Sequence, residues 1–258
     1  MKLAALYTVW NGLELLEKSI EQIDHEVDFI VICYQKTSNK GEYCHNVEDF
    51  VRSFHDSKIT IIEFQPDLHK NTKQNEIEKH NKLIDAAKLL GASHYFFSAT
   101  DHFYNRTEFN QAKNECEKGG YDVTFTRMFT YYKRVTWRLD PIEDYFMPFI
   151  CKLQPNTRVQ RQKTYPVRVD PSIQVNTCDK WRLFERSEIM MHHYSMIRQD
   201  IENKFRNAAA SIRWKPDQLN RFISEYKNAK LGDEISYFQN RKLVKTADWF
   251  DLDTVSDF

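Results

Sequence analysis

The feature that most constrains this chain is a regular alternation of strand-like and helix-like segments over residues 1–104. Residues 27–34 (VDFIVICY) are apolar and β-branched without polar alternation, which is typical of a strand buried on both faces. Residues 75–90 carry apolar side chains at helical spacing, and Gly91 then ends the helix. By the same criteria, strands are predicted at 2–9, 59–64 and 94–97, and helices at 12–23 and 47–54. This alternation predicts an α/β fold whose parallel sheet is covered by helices on both faces.

The pattern loosens after Tyr104. Further strands are predicted at 122–133, 146–153 and 165–169, and helices at 107–118, 197–210 and 217–230. An acidic turn at 140–144 and a basic loop at 158–163 separate some of these segments. No internal repeat or low-complexity linker divides the chain, so we expect a single domain over 1–258.

The composition limits the classes of partner and the compartment that can be expected for this protein. The chain has 37 Lys plus Arg and 37 Asp plus Glu, so no overall charge favours nucleic acid or a membrane surface. No apolar run approaches the roughly 20 residues of a membrane span, and the amino terminus becomes polar too soon for a signal peptide. The five cysteines are widely spaced without a CxxC pair, which favours reduced thiols. These features predict a cytoplasmic protein with no membrane partner.

Residues 93–104 (SHYFFSATDHFY) change abruptly from an apolar run to polar residues. Open α/β sheets bind ligands beyond the carboxyl ends of their strands, which is where the polar residues fall. Asp101 and His102 are both capable of binding a metal, and a carboxylate there suits Mg²⁺ or Mn²⁺. The alternative is an ordinary strand end in which Asp101 caps the next helix.

Several segments resemble the family 2-type glycosyltransferases of GT-A fold. Residues 3–39, with the helix LLEKSIEQI, resemble the start of such enzymes, and His80-Asn81-Lys82 through Gly91 resembles their Arg-Asn-x-Gly helix. The run ending at Asp101 falls at their Asp-x-Asp motif, although Ala99 replaces the first Asp. Residues 191–198 (MHHYSMIR) resemble a late histidine segment, notably of phage-encoded members. Tyr34-Gln35 stands where an acidic pair is usual, which puts uracil recognition in doubt.

This resemblance implies a GT-A-like mixed, mostly parallel sheet with helices on both faces, and transfer of a sugar from a nucleotide-diphosphate donor, UDP-sugar foremost. Residues 1–104 would form the nucleotide-sugar-binding half, and residues 105–258 the acceptor-binding half with the C-terminal helices. A Mn²⁺ or Mg²⁺ ion would be held by Asp101 and His193, since His192 on an extended segment faces the other way. On this reasoning Asp101→Ala removes metal-dependent donor binding and leaves the fold intact. The implied donor-binding residues are Thr8, Trp10, Asn11, Tyr34, His80, Asn81, Thr100 and Arg198, with Lys204 as a second cation near phosphate.

Each of these side chains also has a structural interpretation. Trp10 can instead be a buried indole, and Asn11 can be a helix cap. Arg198 and Lys204 can belong to a solvated, charged helix. For an inverting enzyme, Asp140, Glu143 and Asp144 are the candidate bases that deprotonate the acceptor. The stereochemistry stays open, and so does the alternative that these acids form an ordinary turn.

The acceptor is inferred from a basic cluster. Arg158, Arg161, Lys163 and Arg168, with Tyr165 among them, favour phosphate contacts, and the phage resemblance suggests a hydroxymethylated base in DNA, in a host cytoplasm. A glycan, lipid or protein acceptor remains an alternative. Two further alternatives are a nucleotidyltransferase, which the missing Gly-rich loop after the first strand disfavours, and an inactive GT-A binding module, which Ala99 favours.

Overall fold

The computed structural model describes residues 1–208, 211 and 214–252. The strands in this part of the chain are β1 (Leu3–Val9), β2 (Phe29–Tyr34), β3 (Ile59–Glu63), β4 (His94–Ala99), β5 (His102–Tyr104), β6 (Val123–Tyr132), β7 (Arg134–Asp140), β8 (Phe146–Lys152), β9 (Trp181–Leu183), β10 (Met190–Met196), β11 (Glu234–Ile235) and β12 (Arg241–Lys245). The α-helices are α1 (Leu13–Ile23), α2 (Val47–Arg52), α3 (Thr72–Leu89), α4 (Arg106–Gly119), α5 (Ile201–Asn207) and α6 (Pro216–Asn228).

The strands form one mixed sheet in the order β11-β12-β7-β6-β8-β4-β1-β2-β3. β3, β2, β1 and β4 are parallel, whereas β8, β6, β7, β12 and β11 pair antiparallel with their neighbours. β10 lies beside this path, parallel to β6 and antiparallel to the short strand β5. The predicted α/β fold with a mixed sheet and helices on both faces is therefore confirmed, with the parallel strands gathered in its first half.

Side-chain alternation along β1 builds an apolar core on each face. Leu3, Ala5 and Tyr7 face α1, α2 and α4, while Ala4 and Leu6 face α3 and the long segment that follows β8. All five are fully buried, which explains why this strand carries no polar residue before Thr8. A third apolar cluster joins β7 and β12 to α5 and α6. No helix in the described part of the chain is long and apolar enough to cross a membrane.

Two predicted elements differ from the structure, and one strand was not predicted. Residues 165–169 are not a strand, because Pro166 removes a backbone donor and breaks the ladder. Residues 134–140 are the strand β7, which follows a turn at Lys133 with φ of 63° and carries no glycine signal. The helix expected at 197–210 spans only Ile201–Asn207, so Arg198 precedes it; residues 209 and 210 lie outside the described residues.

The helix α3 begins earlier than the apolar spacing predicted. Asn71 caps it by accepting the Gln74 N–H, and the Gln74 side chain returns a bond to the Asn71 backbone. This capping box moves the start of the helix to Thr72.

Candidate active site

Asp101 lies in the turn between β4 and β5, beyond the carboxyl end of the parallel strands. Its side chain is 5% exposed, so the carboxylate is buried. The Tyr194 N–H donates to the Asp101 carbonyl at 2.8 Å, which ties β10 to this turn. A backbone held on both sides fixes where the carboxylate points.

Four cationic or imidazole groups surround the Asp101 carboxylate. The Arg198 guanidinium forms an ion pair with Oδ2 through Nη2, and the Lys204 ammonium lies 3.7 Å from the same oxygen. On the other side, the Nε2 atoms of His102 and His193 lie 3.7 and 3.9 Å from Oδ1. The predicted metal pair Asp101 and His193 is thus brought together, and His102 joins it.

These imidazoles are placed by strand register. His193 of β10 is opposite His102 of β5 and Thr130 of β6. Registered residues on neighbouring strands present their side chains to the same face, so the three side chains form a row. The Thr130 hydroxyl donates to the Glu143 carboxylate, and this bond brings the acidic turn after β7 alongside the row.

The electrostatics keep the carboxylate charged and the imidazoles neutral. Burial raises the pKa of Asp101, but the charges of Arg198 and Lys204 outweigh burial and hold this pKa well below its usual range. Burial lowers the pKa of His193 to about 3 and also lowers the pKa of His102, although Asp101 opposes both shifts. At neutral pH the site therefore offers a carboxylate and two imidazoles with free electron pairs.

This donor set fits a divalent metal ion. One ligand atom from each of Asp101, His102 and His193 lies within 4.8 Å of the others. The Nδ1 atoms of both histidines are buried and have no hydrogen-bond partner among the described residues. One oxygen and two nitrogen donors suit Mn²⁺ better than Mg²⁺, which prefers oxygen ligands.

The loop after β1 closes one side of the site. Gly12 has φ of 74°, and a Cβ added there would lie 2.8 Å from the Arg198 Cζ and from the Thr100 hydroxyl. Glycine is required at this position both by its backbone conformation and by the guanidinium packed against it. The Thr100 hydroxyl also donates to the Asn11 carbonyl at 3.4 Å. Asn11, Thr100 and Arg198, three of the predicted donor-binding residues, therefore meet at one place.

His192 occupies the opposite face of β10. Its Nδ1 lies 2.7 Å from the Tyr131 hydroxyl, and its ring contacts Phe129 and Phe250. The prediction that the two histidines face opposite ways agrees with this geometry. His192 is part of an aromatic cluster and does not reach Asp101.

Of the other predicted donor-binding residues, Thr8, Trp10 and Tyr34 lie at or near the carboxyl ends of β1 and β2, whereas His80 lies within α3. Thr8 is in register with Ala99, and Trp10 is half-buried with an indole N–H that has no partner among the described residues. The Tyr34 hydroxyl donates a hydrogen bond to the Glu48 carboxylate on α2, at 3.0 Å. His80 is buried against Phe97 on the α3 face.

Asn81, which was predicted to face the donor, bonds a distant part of the chain. Its side chain donates to the Val159 carbonyl at 3.0 Å and accepts the Val159 N–H at 2.8 Å. Both ends of the amide therefore hold the long segment after β8 onto α3. Sequence spacing placed Asn81 on the correct helix but gave no information about this distant partner.

The three candidate bases have different surroundings. Glu143 is half-buried beside Thr130, whereas Asp144 has a side chain that is 81% exposed and lies 3.8 Å from Arg241. Asp140 pairs with Arg138 at 3.0 Å. Only the Glu143 carboxylate is linked directly to the row that contains His193.

The four members of the basic cluster have different surroundings. Arg158 pairs with Asp85 near the end of α3, and the Arg168 guanidinium lies 4.4 Å from the Tyr145 ring centre. Arg161 and Lys163 are exposed between them. Two of the four cations therefore already have partners.

The sequence matches no protein-family model and no curated protein. Its fold resembles S. aureus TarS 1–349 in complex with UDP-GlcNAc, with a TM-score of 0.50 and 10% identity over 88% of this chain and 72% of that chain. For the complex of TarS 1–349 with UDP, the TM-score is 0.48 and the identity 10%, over 88% of this chain and 71% of that chain. A third similar structure is glucosyl-3-phosphoglycerate synthase from Mycobacterium tuberculosis in complex with Mn²⁺, UDP and phosphoglyceric acid. Its TM-score is only 0.33, with 11% identity over 52% of this chain and 45% of that chain. At these identities the likeness shows the fold alone, which is that of the GT-A glycosyltransferases.

Proposed function

We propose that this protein is a metal-dependent glycosyltransferase that moves a sugar from a nucleoside-diphosphate donor to an acceptor hydroxyl. The observation that carries the proposal is the group formed by the buried Asp101 and the partly buried His102 and His193, with Arg198 and Lys204 beside it, at the carboxyl ends of the parallel strands. Ligands of open α/β sheets bind at that edge. The site combines residues 1–104, which supply Asp101, with residues 105–258, which supply His193, Arg198 and Lys204.

Asp101, His102 and His193 would hold the metal, with Mn²⁺ preferred because two of the three donors are imidazoles. A bound divalent ion supplies a Lewis acid that neutralises the developing charge of the diphosphate leaving group. When the donor binds, Arg198 and Lys204 would exchange one anionic partner for another. Without ligands they neutralise Asp101, and in the loaded site they contact phosphate oxygens, to which a guanidinium can bind bidentately.

Glu143 is the proposed general base. Its carboxylate accepts from Thr130, which is in register with His193, so it borders the site while remaining half-buried. A carboxylate in this position can take the proton of an acceptor hydroxyl as the hydroxyl oxygen attacks the sugar. Asp140 and Asp144 are less suited because each already faces an arginine.

UDP-sugars are the proposed donors. The fold neighbour with a TM-score of 0.50 is described in complex with UDP-GlcNAc, which supports testing this donor first. Asn11, Thr100 and the backbone of Gly12 form the wall that would face the diphosphate. Trp10, whose indole N–H has no partner among the described residues, remains the candidate for contact with the base.

A donor screen tests the proposed function. Nucleotide release would be measured with UDP-, GDP-, ADP- and dTDP-sugars, with Mn²⁺ and with a chelator. We expect release from at least one UDP-sugar that requires Mn²⁺. Pyrophosphate release from a nucleoside triphosphate would instead identify a nucleotidyltransferase, and nucleotide binding without any turnover would identify an inactive binding module.

For the acceptor, a hydroxymethylated base in DNA rests on Arg161 and Lys163, the two cations of the basic cluster for which the described residues offer neither an ion pair nor an aromatic contact. If DNA binds there, its affinity falls steeply with salt, and replacing both cations by Ala flattens that slope by about two units. Donor binding stays unchanged in this variant, because neither residue contacts the Asp101 group. Transfer to a glycan or protein acceptor with no modification of DNA at low salt would eliminate the DNA hypothesis.

A further inference from the structure

The face of the sheet opposite the candidate active site carries several arginines. Thr130 of β6 is in register with His193 on the active-site side, so its neighbour Phe129 points to the opposite face. On that face, the guanidinium carbons of Arg138 and Arg186 lie 4.9 and 5.2 Å from the centre of the Phe129 ring. Two positive charges therefore share one aromatic ring.

Two more arginines extend this surface toward β8. Arg127 precedes Phe129 by two residues on β6, so it lies on the same face, and its guanidinium carbon is 4.9 Å from the centre of the Phe146 ring. The Phe146 N–H donates to the Arg168 carbonyl at 2.9 Å, and the Arg168 guanidinium lies over Tyr145. Strand pairing and ring contacts thus connect four arginines, which we call the arginine surface: Arg127, Arg138, Arg168 and Arg186.

The arginine surface has an excess of positive charge. Arg138 donates to the Asp140 carboxylate at 3.0 Å, and the Asp248 carboxylate lies near Tyr131. The other three members contact aromatic rings but form no ion pair within the described part of the chain: Arg127, Arg168 and Arg186. A guanidinium without a carboxylate partner can bind phosphate oxygens bidentately. The surface therefore fits a ligand with several phosphates.

An exposed indole borders the arginine surface. The Trp249 ring lies 5.5 Å from the His192 ring, which in turn lies 5.6 Å from the Phe129 ring. Trp249 is 49% exposed, although its indole N–H donates to the Thr246 hydroxyl at 3.2 Å. Proteins bind single-stranded nucleic acid by combining cations that contact the backbone with aromatic rings that stack on bases. A duplex keeps its bases inside the helix and cannot use such a ring.

We propose that the arginine surface and Trp249 bind a single-stranded segment of nucleic acid. The arginines contact its phosphates, and the indole stacks on one of its bases. Binding at this face needs neither metal nor nucleotide sugar, because the face lies across the sheet from the metal-binding group. The proposal is thus independent of the transferase function, and of the DNA-acceptor hypothesis above, which rests on two other cations.

The test measures binding of a fluorescent oligo-dT of about twelve nucleotides, a length typical of single-strand sites, by fluorescence anisotropy. A chelator is present and no nucleotide is added, and the salt concentration is varied. We expect affinity to fall as salt rises, since each phosphate contact to a single strand contributes a slope of about 0.7. Replacing two arginines, in Arg127→Gln with Arg186→Gln, should flatten the slope by about 1.4 units.

Two further variants keep this test decisive. Arg186 is exposed, so Arg186→Gln alone should fold normally and flatten the slope by about 0.7. The matched control is Arg221→Gln on α6, because the Arg221 guanidinium also lies over a phenyl ring, that of Phe222, at 5.4 Å. This control should keep the wild-type affinity and slope.

Stacking is tested separately at Trp249. Trp249→Ala should weaken oligo-dT binding at least about fivefold at every salt concentration. The salt slope should stay unchanged, because the indole contacts no phosphate. Trp249→Phe should retain most of the affinity, since a phenyl ring also stacks on a base.

The proposal is overturned if oligo-dT does not bind at low salt, or if the arginine variants keep the wild-type slope. Wild-type affinity in Trp249→Ala, or equally tight binding of a duplex or of heparin, would overturn the assignment to a single strand.

The donor screen separates this proposal from the proposed function. Nucleotide release in a protein that ignores oligo-dT removes only the nucleic-acid surface. Oligo-dT binding that responds to the variants as expected, in a protein that releases no nucleotide from any donor, removes the transferase function and retains the surface.

Discussion

The two faces of β10 place adjacent histidines in opposite surroundings. His192 lies among aromatic rings and has one polar partner, the Tyr131 hydroxyl, at 2.7 Å. His193 faces the Asp101 carboxylate and a second imidazole, and its Nδ1 has no partner among the described residues. The Nδ1 of His192 thus has a partner within the protein, whereas the Nδ1 atoms of His193 and His102 are buried without one among the described residues. Unsatisfied buried polar groups cost stability, so the second arrangement points to a ligand.

The largest expected difference between the faces is at Asp101. Asp101→Asn removes the negative charge that compensates Arg198 and Lys204 and leaves two cations with no carboxylate partner at the site. Removing one partner of a buried ion pair lowers the free energy of unfolding by about 3 to 5 kcal/mol. The partial exposure of Lys204 places the expected loss at the lower end of that range.

Two measurements check this prediction. Urea unfolding should show the loss of stability, and calorimetry should show no Mn²⁺-dependent UDP binding. The exposed Asp217→Asn on α6 is the control and should change neither. An Asp101→Asn protein of wild-type stability would contradict the buried network.

The next largest effect is expected at Glu143, on the same face as His193. Glu143→Gln keeps a group that can accept from Thr130 but cannot take a proton, so transfer should fall by about 100-fold or more. Donor affinity should stay unchanged. Asp144→Asn, one residue away and 81% exposed, should retain near-normal transfer. Equal losses in the two variants would remove Glu143 as the base.

A smaller and more diagnostic contrast comes from the two histidines themselves. His193→Ala should weaken Mn²⁺ binding at least about tenfold, since even residues that only orient metal ligands are worth roughly 10- to 100-fold. His192→Ala should leave metal binding nearly intact but lower stability by about 1 to 3 kcal/mol, because the buried Tyr131 hydroxyl loses its partner. If His192→Ala costs more metal affinity than His193→Ala, the assignment of the two faces is wrong.

The sequence predicted the first half of the fold well because local patterns decide it. Apolar runs such as 27–34 and the alternating helices give parallel strands with little ambiguity. It also placed Asp101 at a strand end and separated His192 from His193 by alternation. Strand β7 and the short helix α5 were not predicted accurately, because their limits depend on a turn without glycine and on a side-chain cap at Asp200.

The parts of the site that were missed depend on partners far apart in the chain. Thr130 gave no sequence signal, and its importance comes from strand register with His193 and a bond to Glu143. Asn81 was predicted to face the donor. Its bond to the Val159 backbone could not be predicted, because Val159 is 78 residues away in the chain. Burial of Asp101 also depends on Arg198 and Lys204, 97 and 103 residues later in the chain. Local pattern carries no information about such contacts.

The central claim is that Asp101, His102 and His193 bind a divalent metal together with a nucleoside diphosphate, while Arg198 and Lys204 move from the carboxylate to phosphate. Calorimetry of Mn²⁺ binding with and without UDP, and of UDP binding with Mn²⁺ and with a chelator, tests it directly. Each ligand should tighten the other by the same factor, at least about tenfold. Lys204→Gln should bind Mn²⁺ alone more tightly and reduce that factor, whereas the exposed Lys230→Gln should change neither. UDP affinity that is identical with Mn²⁺ and with chelator would contradict the account.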